Sequence, residues 1–408
     1  QIGLATHKFA MYENYPSIIT LLGEAGYFTG LIGKLHVNPA EAFPVDFRRI
    51  KSANFGKGKR DMKAYAQAAA ECFAEAGERP FFLSINYPDA HFPLHAQDHG
   101  LPEQPLTGEQ VRPLPWVGAD SPRLRQFAAN YYNCVARLDA GVGLLLEALE
   151  KAGARENTLI VYIGDHGAQF SRGKCGVLEA GLRIPMIIHG PGVRAGVVTD
   201  ALVSTLDLLP TLLEATAVKG PEGLPGLPLQ DLMAGRTNEG HRFIIGYTNG
   251  SAPRLFFPQL SIRDDRYRLV HSPLHARTNL FAECYLHQIN VHFAAGTTEE
   301  EIAAAPASVQ QAYATFLQPP AFELYDLDTD PFEFVNLAGR PECSDVQERL
   351  WRELRQWQHD TRDPLADHDL FAAFVKEQDA QRSLAYRRQK DFRWSYLTEW
   401  PAWMETTP

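Results

Sequence analysis

Thr158-Leu159-Ile160-Val161-Tyr162-Ile163-Gly164-Asp165-His166-Gly167 decides how this 408-residue chain is read. Six consecutive β-prone, mostly apolar residues have the parallel-sheet character of a strand covered on both faces. The run then breaks into a carboxylate and an imidazole on a glycine turn. Outward from it, helical and extended patterns alternate from residue 15 to about 215. Helices are expected over Tyr15–Ala25, Lys63–Ala76, Ser121–Gly153 and Ser204–Ala215, and strands over Thr29–Gly33, Pro80–Tyr87 and Ile184–His189. In the third helix the apolar stripe is Phe127, Tyr131, Val135, Leu138, Val142 and Leu145. Such alternation predicts an α/β fold, a mostly parallel sheet sandwiched by helices. Pro and Gly punctuate Gly220–Gly235, read as a linker. Beyond it, short strands at Phe243–Tyr247, Gln259–Arg263, Tyr267–His271 and Phe322–Asp326, with an amphipathic helix over Ser344–Asp360, predict a smaller antiparallel sheet with a covering helix. The expected division is 1–235 for the α/β catalytic domain, 236–375 for an α+β subdomain, and a polar, aromatic extension over 376–408.

Composition narrows the function. The chain is 45% hydrophobic and 22% charged, a globular balance long enough for a sizeable core. A net charge of −10 argues against general nucleic-acid binding. A few lysines in a cleft still suffice for an anionic substrate. No run of about 18 apolar residues suggests a membrane span. Five cysteines, Cys72, Cys134, Cys175, Cys284 and Cys343, have no metal-type spacing and are odd in number, so no disulfide framework is implied. The opening Gln1-Ile2-Gly3 has no targeting pattern from which an address can be read.

Three predicted strands end in ionisable clusters: Lys34-Leu35-His36, Asp89-Ala90-His91, and Asp165-His166-Gly167 with Lys174 shortly after. Singly, each has an ordinary explanation as a solvated loop, a turn capped by aspartate, or a tight glycine turn. In open α/β sheets, however, ligands bind beyond the C-terminal strand ends, and charge collected there is costly unless it pairs or binds something. Together the clusters offer two metal ligands, two imidazoles for proton transfer and two lysines for an anion.

The stretches LLGEAGYFTGLIGKLH (21–36), PFFLSINYPDAH (80–91), YIGDHGAQFSRGKCGVLEAGLRIPMIIHGPG (162–192), STLDLLPTLLE (204–214) and FELYDLDTDPFEFVNLA (322–338) resemble, in order, those of the sulfatases of the alkaline phosphatase superfamily. GLATHKF (3–9), GKLHVNPAEAFPVDF (33–47) and WQHDTRDP (357–364) place the nearest resemblance in the sulfamidase, or N-sulfoglucosamine sulfohydrolase, branch. The resemblance implies hydrolysis of a sulfate ester or N-sulfate on a sulfated carbohydrate or small molecule. It implies Asp165 and His166 as ligands of Ca²⁺ or another divalent metal. Lys34 and Lys174 would clamp the sulfate, His36 would assist the nucleophile, and His91 would protonate the leaving group. Many sulfatases carry Asn at the position of His166, and the sulfamidase branch carries Arg at that of Lys174. The family nucleophile is a formylglycine made in a Cys-x-Pro-x-Arg motif, preceded by a pair of metal-binding Asp. None of the five cysteines lies in such a motif, and the resemblance places both features before Gln1. A homodimer and a periplasmic, secreted or lysosomal setting are further expectations of the resemblance. Two other functions fit the same residues: phosphodiester or phosphonate monoester hydrolysis, which an Asp-His metal pair suits, and non-catalytic binding of sulfated glycans through the lysines.

Overall fold

A computed structural model describes residues 16–37, 39–52, 55–389 and 391–406; the stretch 3–9 and the start of the first expected helix lie outside them. The strand β1, Phe28–Gly33, is buried along its whole length. It pairs in parallel with β2, Phe47–Arg49, on one side and β3, Phe81–Asn86, on the other. Register runs from Phe28 opposite Phe81 to Gly33 opposite Asn86. Gly33 has φ +94°, and a Cβ there would lie 2.1 Å from the Asn86 carbonyl oxygen. Only glycine permits that approach, and it turns the chain out of the sheet into Lys34. Asn86 Nδ2 then donates to the Lys34 carbonyl at 2.9 Å, tying the two strand ends together.

Helix Met62–Ala76 covers this sheet, with the Asp61 carboxylate accepting from Lys63 N and Ala64 N at its N-terminus. It buries Tyr65, Ala68, Ala69 and Cys72 against Phe28, Ile32 and Phe47. Helix Pro122–Lys151 packs beside it, and the expected stripe is part of its packed face: Phe127 and Tyr131 pack on the core around Phe92 and Phe170, and Leu145 on the core around Phe28 and Ile32. Its buried face is Leu124, Ala128, Ala129, Asn133, Cys134, Arg137, Gly141 and Leu149, whereas Val135 is 38% exposed. Small residues let the two helices approach closely, and Arg137 is buried because it has a carboxylate to meet. Hydrophobicity alone therefore marks the large half-buried residues and misses the small and charged ones buried beside them.

The strands β4, Ile160–Ile163, and β5, Met186–His189, also depart from expectation: they form an antiparallel pair, Ile160 opposite His189. A parallel return needs a crossover that carries the chain back along the strand. The connection here contains only the four-residue helix Glu179–Leu182, and Gly164 N donates straight to Pro185 O. The intervening residues form the site loop described below. The stretch read as a linker also contributes core: Leu229, Leu232 and Met233, the latter two on helix Gln230–Met233, are buried against Leu159, Met186 and Ile188.

The C-terminal sheet matches expectation. Its strands β6 (Ile244–Thr248), β7 (Gln259–Arg263), β8 (Tyr267–His271) and β9 (Phe322–Asp326) run antiparallel in that order. Alternation and turn chemistry locate them, since Asp264 Oδ1 accepts from Arg266 N and Tyr267 N in the β7–β8 hairpin. Leu350 and Leu354 of helix Ser344–Asp360 seal one face against Leu260, Ile262, Leu269 and Leu324. Trp394, Tyr396 and Trp400 of the aromatic tail fold onto Phe256 and Phe374. Between β8 and β9 the chain inserts helices Leu280–Leu286, Glu299–Ala303 and Ala307–Leu317, which no strand or motif signal had announced. No helix among the described residues is long and apolar enough to cross a membrane.

In β9 the Glu323 carboxyl is buried, and the Tyr325 hydroxyl donates to it at 2.6 Å. Burial pushes it up to about 7, partly offset by that hydrogen bond and by Arg172. A carboxyl raised on folding binds more protons in the native state, so its contribution to stability is lost as pH rises from about 4.5 to about 7. Glu323→Gln, which keeps the shape without a charge, is expected to melt above wild type at pH 8 and to lose that advantage by pH 4.5. Thermal melts at both values check this; a pH-independent difference would contradict it.

Candidate active site

Lys34 leaves the end of β1, and its Nζ lies 5.4 Å from the centroid of the Phe55 ring. His91 stacks on the same ring, with centroids 3.9 Å apart and planes 5° from parallel. The His91 Nδ1 lies 2.7 Å from the Phe92 carbonyl oxygen. A carbonyl only accepts, so Nδ1 carries the proton and Nε2 is left for other chemistry. Burial first, then Lys174, Lys34 and His292, push His91 down to about 3. Both lysines are thus felt at one imidazole, and Lys174 is also felt at His166. Lys34, His91, His166 and Lys174, contributed by three separate strand ends, share one electrostatic neighbourhood. His36 lies two residues beyond Lys34 and is exposed.

Asp89 belongs elsewhere. It was grouped with His91 as a charged strand end, but its carboxylate is buried between two equally buried arginines. Arg137 binds it through Nε at 2.7 Å and Nη2 at 2.9 Å, and Arg60 pairs with it through Nη1. Arg60 Nη2 further donates to the carbonyls of Phe55, His91 and Pro93. This network fixes the backbone that presents His91 and Phe55.

The loop after β4 carries the other groups. Asp165 Oδ2 and His166 Nε2 lie 3.3 Å apart, with side chains 88% and 38% exposed. His166 Nδ1 lies 2.9 Å from the Gly167 carbonyl, which again leaves Nε2 with its lone pair. Burial and Lys174 lower the His166 pKa, and Asp165 partly offsets them. A Cβ at Gly167 would sit 1.7 Å from the Ala180 oxygen, so only glycine allows the loop to close on Gly181. Burial lowers the Lys174 pKa, opposed by Cys175 and Asp165.

Sequence reasoning missed the groups that hold this loop. Arg268 of β8 donates to Val177 O at 2.9 Å and pairs with Glu179, which Arg263 of β7 also binds at 2.6 Å. Glu333 accepts from Glu179 N at 2.7 Å, and Arg172 donates to the Glu333 carbonyl. His292, whose ring lies edge-on to His91 at 5.6 Å, was missed too. A lone histidine in an insertion without periodicity carries no signal of its own, nor does Phe55 in a Gly- and Lys-rich loop.

Asp165 and His166 present a hard carboxylate and an imidazole to one point, a pair that fits a divalent cation. Among the described residues no cluster of three His, Cys, Asp or Glu side chains could hold a metal. Oxygen suits Ca²⁺ better than nitrogen does, so His166 is the less apt member of the pair for that ion. Cys72, Cys134, Cys175 and Cys284 offer no ready thiolate: burial pushes Cys72 up to about 12 and the other three to about 11. An open groove of about 800 Å³ is lined by residues including Thr199, His241, Arg242, Asp264 and Arg349, and includes none of the site residues.

The chain is similar to known proteins over most of its length. A family model described as Sulfatase matches residues 6–218, and one described as N-sulphoglucosamine sulphohydrolase, C-terminal, matches residues 164–283. The chain is 27% identical over 399 residues to human N-sulphoglucosamine sulphohydrolase, covering 88% of this chain and 76% of that protein. It is 25% identical over 362 residues to an ulvan-active sulfatase of Formosa agariphila, covering 86% of this chain and 66% of that one. Among solved structures, a protein in complex with its substrate D-glucosamine-2-N,6-O-disulfate superposes with TM-score 0.59 at 18% identity, over 87% of this chain and 84% of that one. A 2-O GAG sulfatase superposes with TM-score 0.63 at 17% identity, over 88% and 77% of the two chains. At these identities the superpositions speak to the fold, which is shared, while the family model spans more than half of the sequence. The chain belongs to the sulfatase family.

Proposed function

We propose that this protein hydrolyses a sulfate ester or N-sulfate of a sulfated carbohydrate, with N-sulfoglucosamine as the first substrate to test. The observation that carries this reading is that Lys34 and His91 share the Phe55 ring while Lys174 acts electrostatically on both His91 and His166. It is supported by the match of residues 164–283 to the C-terminal model of N-sulphoglucosamine sulphohydrolase. Two ammonium groups in a partly desolvated cleft hold a sulfate and balance charge that grows on its oxygens during S–N or S–O cleavage. Lys174 does this as a point charge, without the paired geometry an arginine would bring. Asp165 and His166 would hold a divalent cation, which when bound supplies further positive charge beside the sulfate. The nucleophile in this reading is a formylglycine, as in the family. His91, with Nδ1 committed to Phe92, exchanges protons through Nε2.

Release of glucosamine and sulfate from N-sulfoglucosamine by the full-length enzyme tests the reading directly. Lys174→Ala is expected to slow that substrate and an aryl sulfate alike, by about 10²-fold or more, because it touches the sulfate common to both. Unequal losses would move Lys174 off the sulfate. The Asp165–His166 pair also suits phosphoester hydrolysis, and the chain is 25% identical over 287 residues to a multifunctional alkaline phosphatase superfamily protein of Trinickia caryophylli. Faster turnover of a phosphodiester than of any sulfate in the same assay would select that reading instead.

A further inference from the structure

His292 lies outside every motif, yet its backbone is held to the site at two points. It sits in the insertion between β8 and β9, on the short turn Val291–Phe293 that Asn290 caps by accepting from His292 N at 2.9 Å. Next to it, Phe293 is buried against Phe281 and Tyr285 at ring separations of 5.9 and 5.0 Å. Cys175, the neighbour of Lys174, packs on that same cluster. The His292 carbonyl accepts from Nε2 of the buried Gln169 at 2.7 Å, and Gln169 belongs to the loop that carries Asp165, His166 and Lys174. A segment pinned at both points presents an exposed imidazole edge-on to His91. Ile289 and Val291 of the same segment are 53% and 50% exposed.

The geometry points to His292 as a substrate-binding residue that grips the leaving-group half of the substrate, the sugar hydroxyls beside the sulfate, and thereby sets which sulfated sugar is accepted. The inference rests on the sulfatase reading above and names the part of the substrate that this segment recognises. With two lysines assigned to the sulfate and His91 to the leaving atom, an imidazole edge-on to His91 is placed to meet the group that leaves. Burial, Lys174 and Lys34 all disfavour its cation. A neutral imidazole offers one donor and one acceptor, the same complement as a hydroxyl group and a poor match for an anion. Exposed aliphatic side chains on the same segment suit the C–H faces of a sugar ring, as apolar walls with few polar groups do in ligand sites generally.

Calorimetric titration of the full-length protein with glucosamine N-sulfate and, separately, with inorganic sulfate tests this. His292→Ala is expected to weaken the sugar sulfate about tenfold more than inorganic sulfate, the size of one good hydrogen bond. His292→Asn, which keeps a donor and an acceptor, should recover part of the loss. Equal weakening of both ligands, or of neither, overturns the assignment to His292 while leaving the sulfatase reading intact. A wild-type protein that binds neither ligand removes that reading and this inference together.

Discussion

Replacing His91 by alanine is expected to slow hydrolysis of N-sulfoglucosamine by about 10²-fold or more, and to slow an activated aryl sulfate much less. An amine anion is far too basic to leave sulfur unassisted at neutral pH, so its departure needs a positioned acid, whereas a phenolate needs little help. His91 is held for this task by the Phe55 stack and by its Nδ1 hydrogen bond to the Phe92 carbonyl. In the free protein it is nonetheless a poor proton carrier, because burial and the two lysines push it down to about 3. A bound sulfate supplies the negative charge that offsets those lysines. The His91 pKa should therefore rise when inorganic sulfate binds, and rise also in Lys174→Ala without sulfate. Its imidazole resonances, followed by NMR against pH with and without sulfate, read this directly. Equal kinetic losses on both substrates would remove His91 as the acid. A titration indifferent to sulfate would remove the account of how it becomes charged.

Asp89→Ala is expected to destabilise the fold by about 3–5 kcal/mol, the usual cost of leaving a buried charge without its partner. Here two guanidinium groups would be stranded, since Arg60, Arg137 and Asp89 are all fully buried at the side chain. Backbone carbonyls of Phe55, His91, Pro93, His95 and Leu101 would still accept from them, which keeps the effect finite. Asp89→Asn, which keeps the acceptor oxygen but not the charge, should cost less. Urea unfolding midpoints measure both, and an unchanged midpoint in Asp89→Ala would show that the arginines relax into other contacts. Because Arg60 holds the His91 carbonyl, the variant should also lose activity at temperatures where it stays folded.

The two ionisable residues of one three-residue motif do different things: Asp89 holds the fold and His91 faces the site. Asp89 and His91 stand two apart after one strand, and in sequence they look alike: polar, ionisable, at a place where ligands bind. The carboxylate turns inward because Arg137, 48 positions later, sits on the buried face of the long helix. No local rule conveys that. A charged residue in a helix reads as solvent-facing unless its distant partner is known.

What the sequence by itself determined follows from short-range chemistry. Alternation and turn residues placed the C-terminal strands Gln259–Arg263, Tyr267–His271 and Phe322–Asp326 at their observed bounds. Glycines that no other residue can replace, Gly33 and Gly167, marked where Lys34 and the Asp165–His166 pair leave their strands. The ordered motifs carried the family. Tertiary structure alone decided the rest. It set the direction of β5 beside β4, because a run of apolar residues records burial but not the sense in which its neighbour returns. It made the stretch before residue 235 part of a core, because Leu232 and Met233 find Leu159, just before β4, and Met186 and Ile188 of β5 only once the chain has folded back. And it brought His292 to His91 across 200 residues, a proximity created by an insertion whose own sequence gives no sign of where it will land.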